Sequence, residues 1–486
     1  MLKLIFKQTN WGIIGSIFGF SIGFLVKIYL IDIVGIAEWG KYVSAHAFAS
    51  AADTFLAIGI PWILIKYIPN YLERDIPAAN QIIRKSIRYA IIVSLIFLVV
   101  MYFIAPLFDA YIYKEIDGFS LILLLVSVYA PISIFTGIIT SLYRSVLKIR
   151  EIIIYGTFVS VPIRAILTFF VFQYTDNIIY FIGIELFTTS LTFILLMYFF
   201  NKNEFSIFFI KKDESFRIGN EIKSYGKRMY ANSLISFFAG QSLSLILSIM
   251  LPPKQIGIYS ILLTITGISM FFRKNLNKIF APAVTKLYEE RNINELNKLY
   301  KKTTFIINLL TIPLAIIIII FANEILYLFD NSGNLSDYTF YLYVLMVARI
   351  ISLLAGSSGI FMVMGGLEKE ELRLQTLKAI LITFLALILI NKYELLAIVA
   401  LFVFFTIFIN VIQLVVINKY LKISPFSKNL FLLILVSIPM LFFAFHNQIE
   451  FHSYHYFLVP ILVYLFYGLM FIKPIRSTYF EIVNND

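Results

Sequence analysis

Five ionisable side chains, Lys27, Asp53, Arg164, Glu185 and Arg349, stand inside otherwise apolar runs of this sequence. Asp53, Arg164 and Arg349 fall near the middle of their runs, while Glu185 and Lys27 lie toward one end. An ionisable group deep in a membrane span costs about 2.5–3.5 kcal/mol on insertion scales, so it faces protein or a watery cavity. Cations lining such a cavity attract phosphate or pyrophosphate, because low-dielectric walls focus their field. The arginine fork matches phosphate oxygens bidentately, which favours Arg164 and Arg349 over Lys27 as direct contacts. Lys27 can also snorkel toward the interface. Asp53 and Glu185 are the acids that could take up H+ or Na+. Against all of this stands ion pairing within the membrane, Arg164 with Glu185 on neighbouring spans being the evident pair, and Asp53 is equally open to it. Arg349 has no acid in its own span or in the spans before and after it, and is the best candidate for a cavity cation.

Little else offers chemistry. There is no cysteine, hence no disulfide, thiolate metal site or thiol nucleophile. No carboxylate pair, nucleophile with a base, or glycine-rich phosphate loop appears, and no cofactor is expected. His446, His452 and His455 crowd one loop, but a short interfacial loop explains them better than a metal. Gly15, Gly19 and Gly23 recur every four residues, a spacing that lets helices approach closely.

The elements that position these residues must be membrane helices. Of 486 residues, 60% are hydrophobic and 14% charged, against about 25% charged in a soluble domain. Apolar runs such as 90–107, 119–142, 303–322 and 394–417 are long enough to cross a hydrocarbon core of about 30 Å. They are apolar all round rather than alternating, which excludes barrel strands. The expected spans are 11–34, 42–65, 87–107, 119–142, 152–173, 178–199, 229–250, 257–279, 303–322, 338–363, 376–391, 394–417, 429–445 and 456–472. Net charge is +12, yet its distribution points to topology rather than to nucleic acid. With the N-terminus inside, 33 of the 40 Lys and Arg residues fall in cytoplasmic segments, as the positive-inside rule requires. Both termini are then cytoplasmic. Segment 280–302 sets Leu287, Tyr288, Leu296 and Tyr300 among charges; it either lies on anionic headgroups or caps two spans as an ordinary helix.

An internal repeat is also legible. Gly40-Lys41-Tyr42 opens span two and Gly257-Ile258-Tyr259 opens span eight, 217 residues on, and Leu147-Lys148 faces Leu367-Glu368 at nearly the same offset. Each unit holds six spans, so the repeat is parallel. Ile33–Tyr42, Gly59 through Tyr67-Ile68-Pro69, Gly257-Ile258-Tyr259 and Ala281-Pro282 followed by Leu287 resemble the polysaccharide-exporter branch of the multidrug/oligosaccharidyl-lipid/polysaccharide (MOP) flippase superfamily, which includes the O-antigen flippases. The likeness extends over spans one to twelve. It implies an all-α polytopic protein: a six-helix bundle over 1–200, a linker over 201–228, a second bundle over 229–418 and two added helices over 419–486. It also implies a bacterial cytoplasmic-membrane flippase of undecaprenyl-pyrophosphate-linked oligosaccharide, working by alternating access. The lipid-linked glycan, membrane lipids, a coupling H+ or Na+ and other polysaccharide-assembly proteins would be its partners, and Arg349, Arg164 and Lys27 its cavity contacts.

Two other readings compete. A cation-coupled multidrug exporter of the same superfamily would want acids in its cavity more than bases. A membrane polymerase or ligase would need a large outer loop, and no outer loop here exceeds about sixteen residues. Orientation is testable because the background lacks cysteine. Ile112→Cys, Gly333→Cys and Ile449→Cys should react with an impermeant thiol reagent in intact cells, whereas Lys212→Cys, Asn292→Cys and Leu421→Cys should not. The reverse pattern would overturn the orientation.

Overall fold

The computed structural model describes residues 2–112, 118–204, 219–446, 455–472 and 474. The His452 loop and half of the 201–228 linker, residues 205–218, lie outside them. The chain divides into two compact units, Met1–Ile258 and Tyr259–Asp486, and the described elements are almost wholly helical.

The first unit contains α1 (Leu2–Val34), α2 (Ile36–Leu56), α3 (Ile60–Arg74), α4 (Ile76–Tyr111), α5 (Phe119–Ser127), α6 (Tyr129–Ser145), α7 (Ile149–Ile153), α8 (Ser160–Val171), α9 (Ile178–Asn203), α10 (Asn220–Gly240) and α11 (Ser242–Met250). Helix α12 (Pro253–Ile268) runs across the division. Helices α10 and α11 pack on α2 and α3. Between α7 and α8 the backbone widens into a π-helical turn over Ile154–Val159, and α1 rests against it. Gly15 meets Ile153 and Gly19 meets Thr157, so two of the three regularly spaced glycines of α1 serve packing.

The second unit continues with α13 (Phe271–Glu289), α14 (Ile293–Ile320), α15 (Ala322–Phe329), α16 (Thr339–Leu354), α17 (Ser358–Met364), α18 (Glu368–Leu421), α19 (Lys428–His446) and α20 (His455–Met470). Within the 280–302 segment Val284, Leu296 and Tyr300 are buried with Phe361, Met362 and Ile417. Leu296 and Tyr300 of the Leu/Tyr stripe therefore pack against protein and Leu287 does so in part, as a capping helix would, while Tyr288 stays exposed.

Among the described residues, nine helices are individually long and apolar enough to span a bilayer, and three bent pairs raise the number to twelve. Helix α18 supplies one more. Its 54 residues would stretch about 80 Å if straight, far beyond the roughly 30 Å of a bilayer core. Yet Gln413 donates to both oxygens of Glu371, 42 residues earlier, at 2.8 Å. The chain therefore doubles back, and the non-helical Glu394 (φ 46°) marks the turn. Helix α20, apolar over Leu458–Met470, stands where the fourteenth span is expected.

Breaks have local causes. Span two bends by 44° between α2 and α3, where Gly59 adopts a left-handed conformation (φ 68°) that a larger residue would strain. Span eight bends by 54° between α12 and α13.

The two Gly-x-Tyr motifs meet. A Cβ on Gly40 would run into the Pro253 carbonyl, and one on Gly257 into the Ile36 carbonyl. The starts of α2 and α12 thus touch backbone to backbone, which only glycine at both positions permits. Overpacking in a core costs roughly 1–3 kcal/mol, and a rigid carbonyl yields less than a side chain. Gly40→Val or Gly257→Val should therefore collapse the monodisperse fraction on size-exclusion chromatography in detergent. Gly267→Val, with open space around it, should leave it intact. An intact monodisperse fraction for all three would show that the contact is dispensable.

Candidate functional site

In the first unit, Glu185 is buried, 8% exposed, and gathers three donors. Tyr42 Oη donates to Oε2 at 2.8 Å, His46 Nε2 lies 2.9 Å from the same oxygen, and Arg164 Nη1 reaches Oε1 at 3.3 Å. The remaining Arg164 nitrogens donate to Thr188 Oγ1 at 3.1 Å and Thr189 Oγ1 at 3.4 Å. The regular spacing of Glu185, Thr188 and Thr189 on α9 presents all three to α8 on one face. This cluster answers its own charges. Asp53, half-buried on α2, stands apart beside Ser133. Lys27 lies 5.8 Å from the ring centre of Trp39.

The second unit is built differently. A cavity of about 450 Å³ is lined by Arg273, Arg349 and Lys378 and by one acid, Glu371. Glu371 is already engaged, accepting from Gln375 Nε2 and from Gln413 Nε2, each at 2.8 Å. Among the described residues none of the three cations has a carboxylate within ion-pair distance. Arg349 has its guanidinium carbon 4.6 Å from the Phe402 ring centre, and its buried Nε makes no hydrogen bond. A cation–π contact is worth roughly 0.5–2 kcal/mol, less than the roughly 2.5–3.5 kcal/mol cost of a buried arginine. The balance must come from water or an anion in the cavity.

Arg273 has a partly structural task. Span ten breaks between α16 and α17 around Gly356 (φ 65°), which frees backbone carbonyls in the membrane interior. Each finds a donor. Asn308 Nδ2 reaches Leu353 O at 2.7 Å, and Tyr300 Oη reaches Ala355 O at 2.8 Å. Arg273 Nη1 reaches Ser352 O at 3.3 Å and Gly356 O at 3.5 Å. Irregular backbone in a membrane survives only where it is satisfied in this way.

A family profile described as "Polysaccharide biosynthesis protein" matches residues 5–272, more than half of the chain. The chain belongs to that family. A second profile, MatE, matches residues 229–391, the stretch carrying Arg273, Arg349, Glu371 and Lys378. No curated protein sequence matches. Among solved structures it is similar to the lipid II flippase MurJ in an inward closed conformation (TM-score 0.73, 14% identity, 95% of this chain and 99% of that one). It is also similar to an inward-facing multidrug resistance MATE family transporter (0.68, 15%, 82% and 94%). A third likeness is to a Pyrococcus furiosus MOP superfamily transporter described as having a binding pocket of reverse polarity (0.61, 15%, 86% and 96%). The chain is thus a helical membrane protein of a polysaccharide biosynthesis family, with a fold similar to those of the MurJ and MATE structures.

Of the residues singled out by sequence, Arg164 and Glu185 come together and Arg349 lines the cavity, while Asp53 and Lys27 join neither group. Arg273, Glu371 and Lys378 were missed because charge bias assigned them to cytoplasmic segments. The signal was present, since spans 257–279 and 376–391 as drawn already enclosed Arg273 and Lys378. Tyr42 and His46 as partners of Glu185 left no trace in local sequence.

The contrast between the two units has a thermal signature. Removing one partner of a buried pair costs about 3–5 kcal/mol. Arg164→Ala and Glu185→Ala should each lower the unfolding midpoint in detergent by several degrees. Arg349→Ala should leave it unchanged or raise it. Comparable destabilisation by Arg349→Ala would reveal a partner for that side chain.

Proposed function

We propose that the protein is a flippase that moves undecaprenyl-pyrophosphate-linked oligosaccharide, an O-antigen or other surface-polysaccharide repeat unit, from the inner to the outer leaflet of a bacterial cytoplasmic membrane by alternating access, with both termini cytoplasmic. The observation that carries this reading is the cavity of the second unit, in which three cations face one fully engaged carboxylate. The surplus suits a doubly charged pyrophosphate diester, and Arg349 brings unmet donors in a geometry matched to phosphate oxygens. The fold of a lipid II flippase supports a lipid cargo. Arg164, committed to Glu185, contributes to cargo less directly, and Lys27 is a secondary contact. Asp53 is the acid left to couple transport to H+ or Na+, since Tyr42, His46 and Arg164 all converge on Glu185.

The alternative, a cation-coupled multidrug exporter, draws on the likeness to MATE transporters. A surplus of cations in the cavity disfavours cationic drugs as cargo. Complementation of a flippase-deficient strain separates the two. A charge-assisted hydrogen bond is worth roughly 1.5–3 kcal/mol, so Arg349→Ala should cut surface polysaccharide at least about tenfold at normal membrane abundance. Arg349→Lys should retain part of the activity, and Asp53→Asn should lose dependence on the ion gradient. Full export by Arg349→Ala at normal abundance would sink the cargo assignment.

A further inference from the structure

A pocket of about 390 Å³ within the first unit is lined by Thr54, Trp62, Asn232, Ser233, Ser236 and Gln241, with two apolar side chains completing it. None of its lining residues is ionisable, which sets it apart from both charged sites.

The backbone explains how it forms. The left-handed Gly59 sits against the Gly226 carbonyl, so α10 crosses close to the break between α2 and α3. Trp62, in the first turn of α3, is left 48% exposed. Asn232, Ser233 and Ser236 share one face of α10, and Gln241 occupies the break before α11. Ser50 Oγ donates to Gln241 Oε1 at 2.6 Å, which fixes the amide and leaves its NH2 as a donor. The hydroxyls of Thr54 and Ser233 donate to the backbone at Ser50 and Met229, leaving their oxygens as acceptors. Among the described residues the Asn232 amide has no hydrogen-bond partner.

Unpaired amides and hydroxyls within a span cost several kcal/mol each unless water or a ligand meets them. A wall of neutral donors and acceptors beside an open indole face does not suit a phosphate or a cation. It suits a pyranose, whose hydroxyls take the polar rim and whose C–H face lies on the aromatic ring. The volume is at the lower end of the roughly 300–1,000 Å³ typical of small-molecule sites, the size of a mono- or disaccharide. We infer that this pocket is the saccharide subsite of the transporter, with Trp62 as stacking platform and Asn232 and Gln241 as the residues that read the sugar. The inference rests on the flippase reading for its cargo but names a different part of that cargo.

The test uses the full-length protein in lipid vesicles and two sets of probes. The first set is bare undecaprenyl pyrophosphate and the same carrier bearing glucose, galactose or N-acetylglucosamine. The second is the matching free monosaccharides, read by the emission change seen in wild type and absent from Trp62→Phe. At least one sugar-bearing carrier should bind more tightly than the bare one. Trp62→Ala and Gln241→Ala should each shrink that ratio about threefold to tenfold, as expected for one aromatic contact or hydrogen bond. Arg349→Ala should weaken both carriers alike and preserve the ratio. A ratio unchanged by Trp62→Ala and Gln241→Ala, or no sugar-dependent signal in either set, overturns the subsite. Failure of bare carrier to bind while the free monosaccharides still alter Trp62 emission sinks the flippase reading and leaves the saccharide site standing.

Discussion

Hydrocarbon gives a buried charge no solvent, so each charge in a span must be answered by protein, by water or by cargo. The two units meet this constraint in opposite ways. In the first, Arg164 and Glu185 neutralise each other and Tyr42, His46, Thr188 and Thr189 absorb what remains. In the second, Arg349 rests on Phe402. The internal repeat makes the difference legible: the 217–220 residue offset carries Tyr42 to Tyr259 and Glu185 into 402–405, a Phe-Val-Phe-Phe run. Tyr259 lies near enough to Arg349 to feel its charge. The second half thus keeps the tyrosine and lacks the acid, and the unanswered charge is where an anion has most to gain.

Helix breaks are the means by which the fold brings polar groups inward. At Gly59 the chain lets α10 approach and leaves Trp62 open. At Gly356 the backbone frees carbonyls that Arg273, Tyr300 and Asn308 then occupy. The bend between α12 and α13 brings Arg273 to that break. A continuous helix at any of these places would bury its own backbone and offer the membrane interior only side chains.

Much of this was legible in the sequence because lipid imposes a simple code. Spans follow from apolar length, and a lone Arg349 without an acid in its neighbouring spans announces itself. The pairing of Arg164 with Glu185 was visible as an option because the two spans are consecutive. What the code could not reveal depended on breaks and long-range packing. Arg273 and Lys378 resembled loop charges because span ends are not marked in the sequence, and only the bend before Arg273 and the doubled-back α18 bring them to the cavity. The glycan pocket draws on α2, α3 and α10, about 180 residues apart, and its neutral side chains carry no local signature. Nothing local marks His46 as a neighbour of Glu185, a contact 139 residues away in sequence.

The wide turn over Ile154–Val159 sits five residues before Arg164. An α-helix advances about 100° and 1.5 Å per residue, and a π-turn accommodates one residue more than the regular winding. The direction in which Arg164 points is therefore set by an insertion in span five rather than by any charged residue. A relative lacking that single residue would keep the same composition and hydropathy while its arginine faced about a quarter-turn away from the carboxylate on α9. In this part of the molecule, gaps in an alignment would say more about charge balance than substitutions.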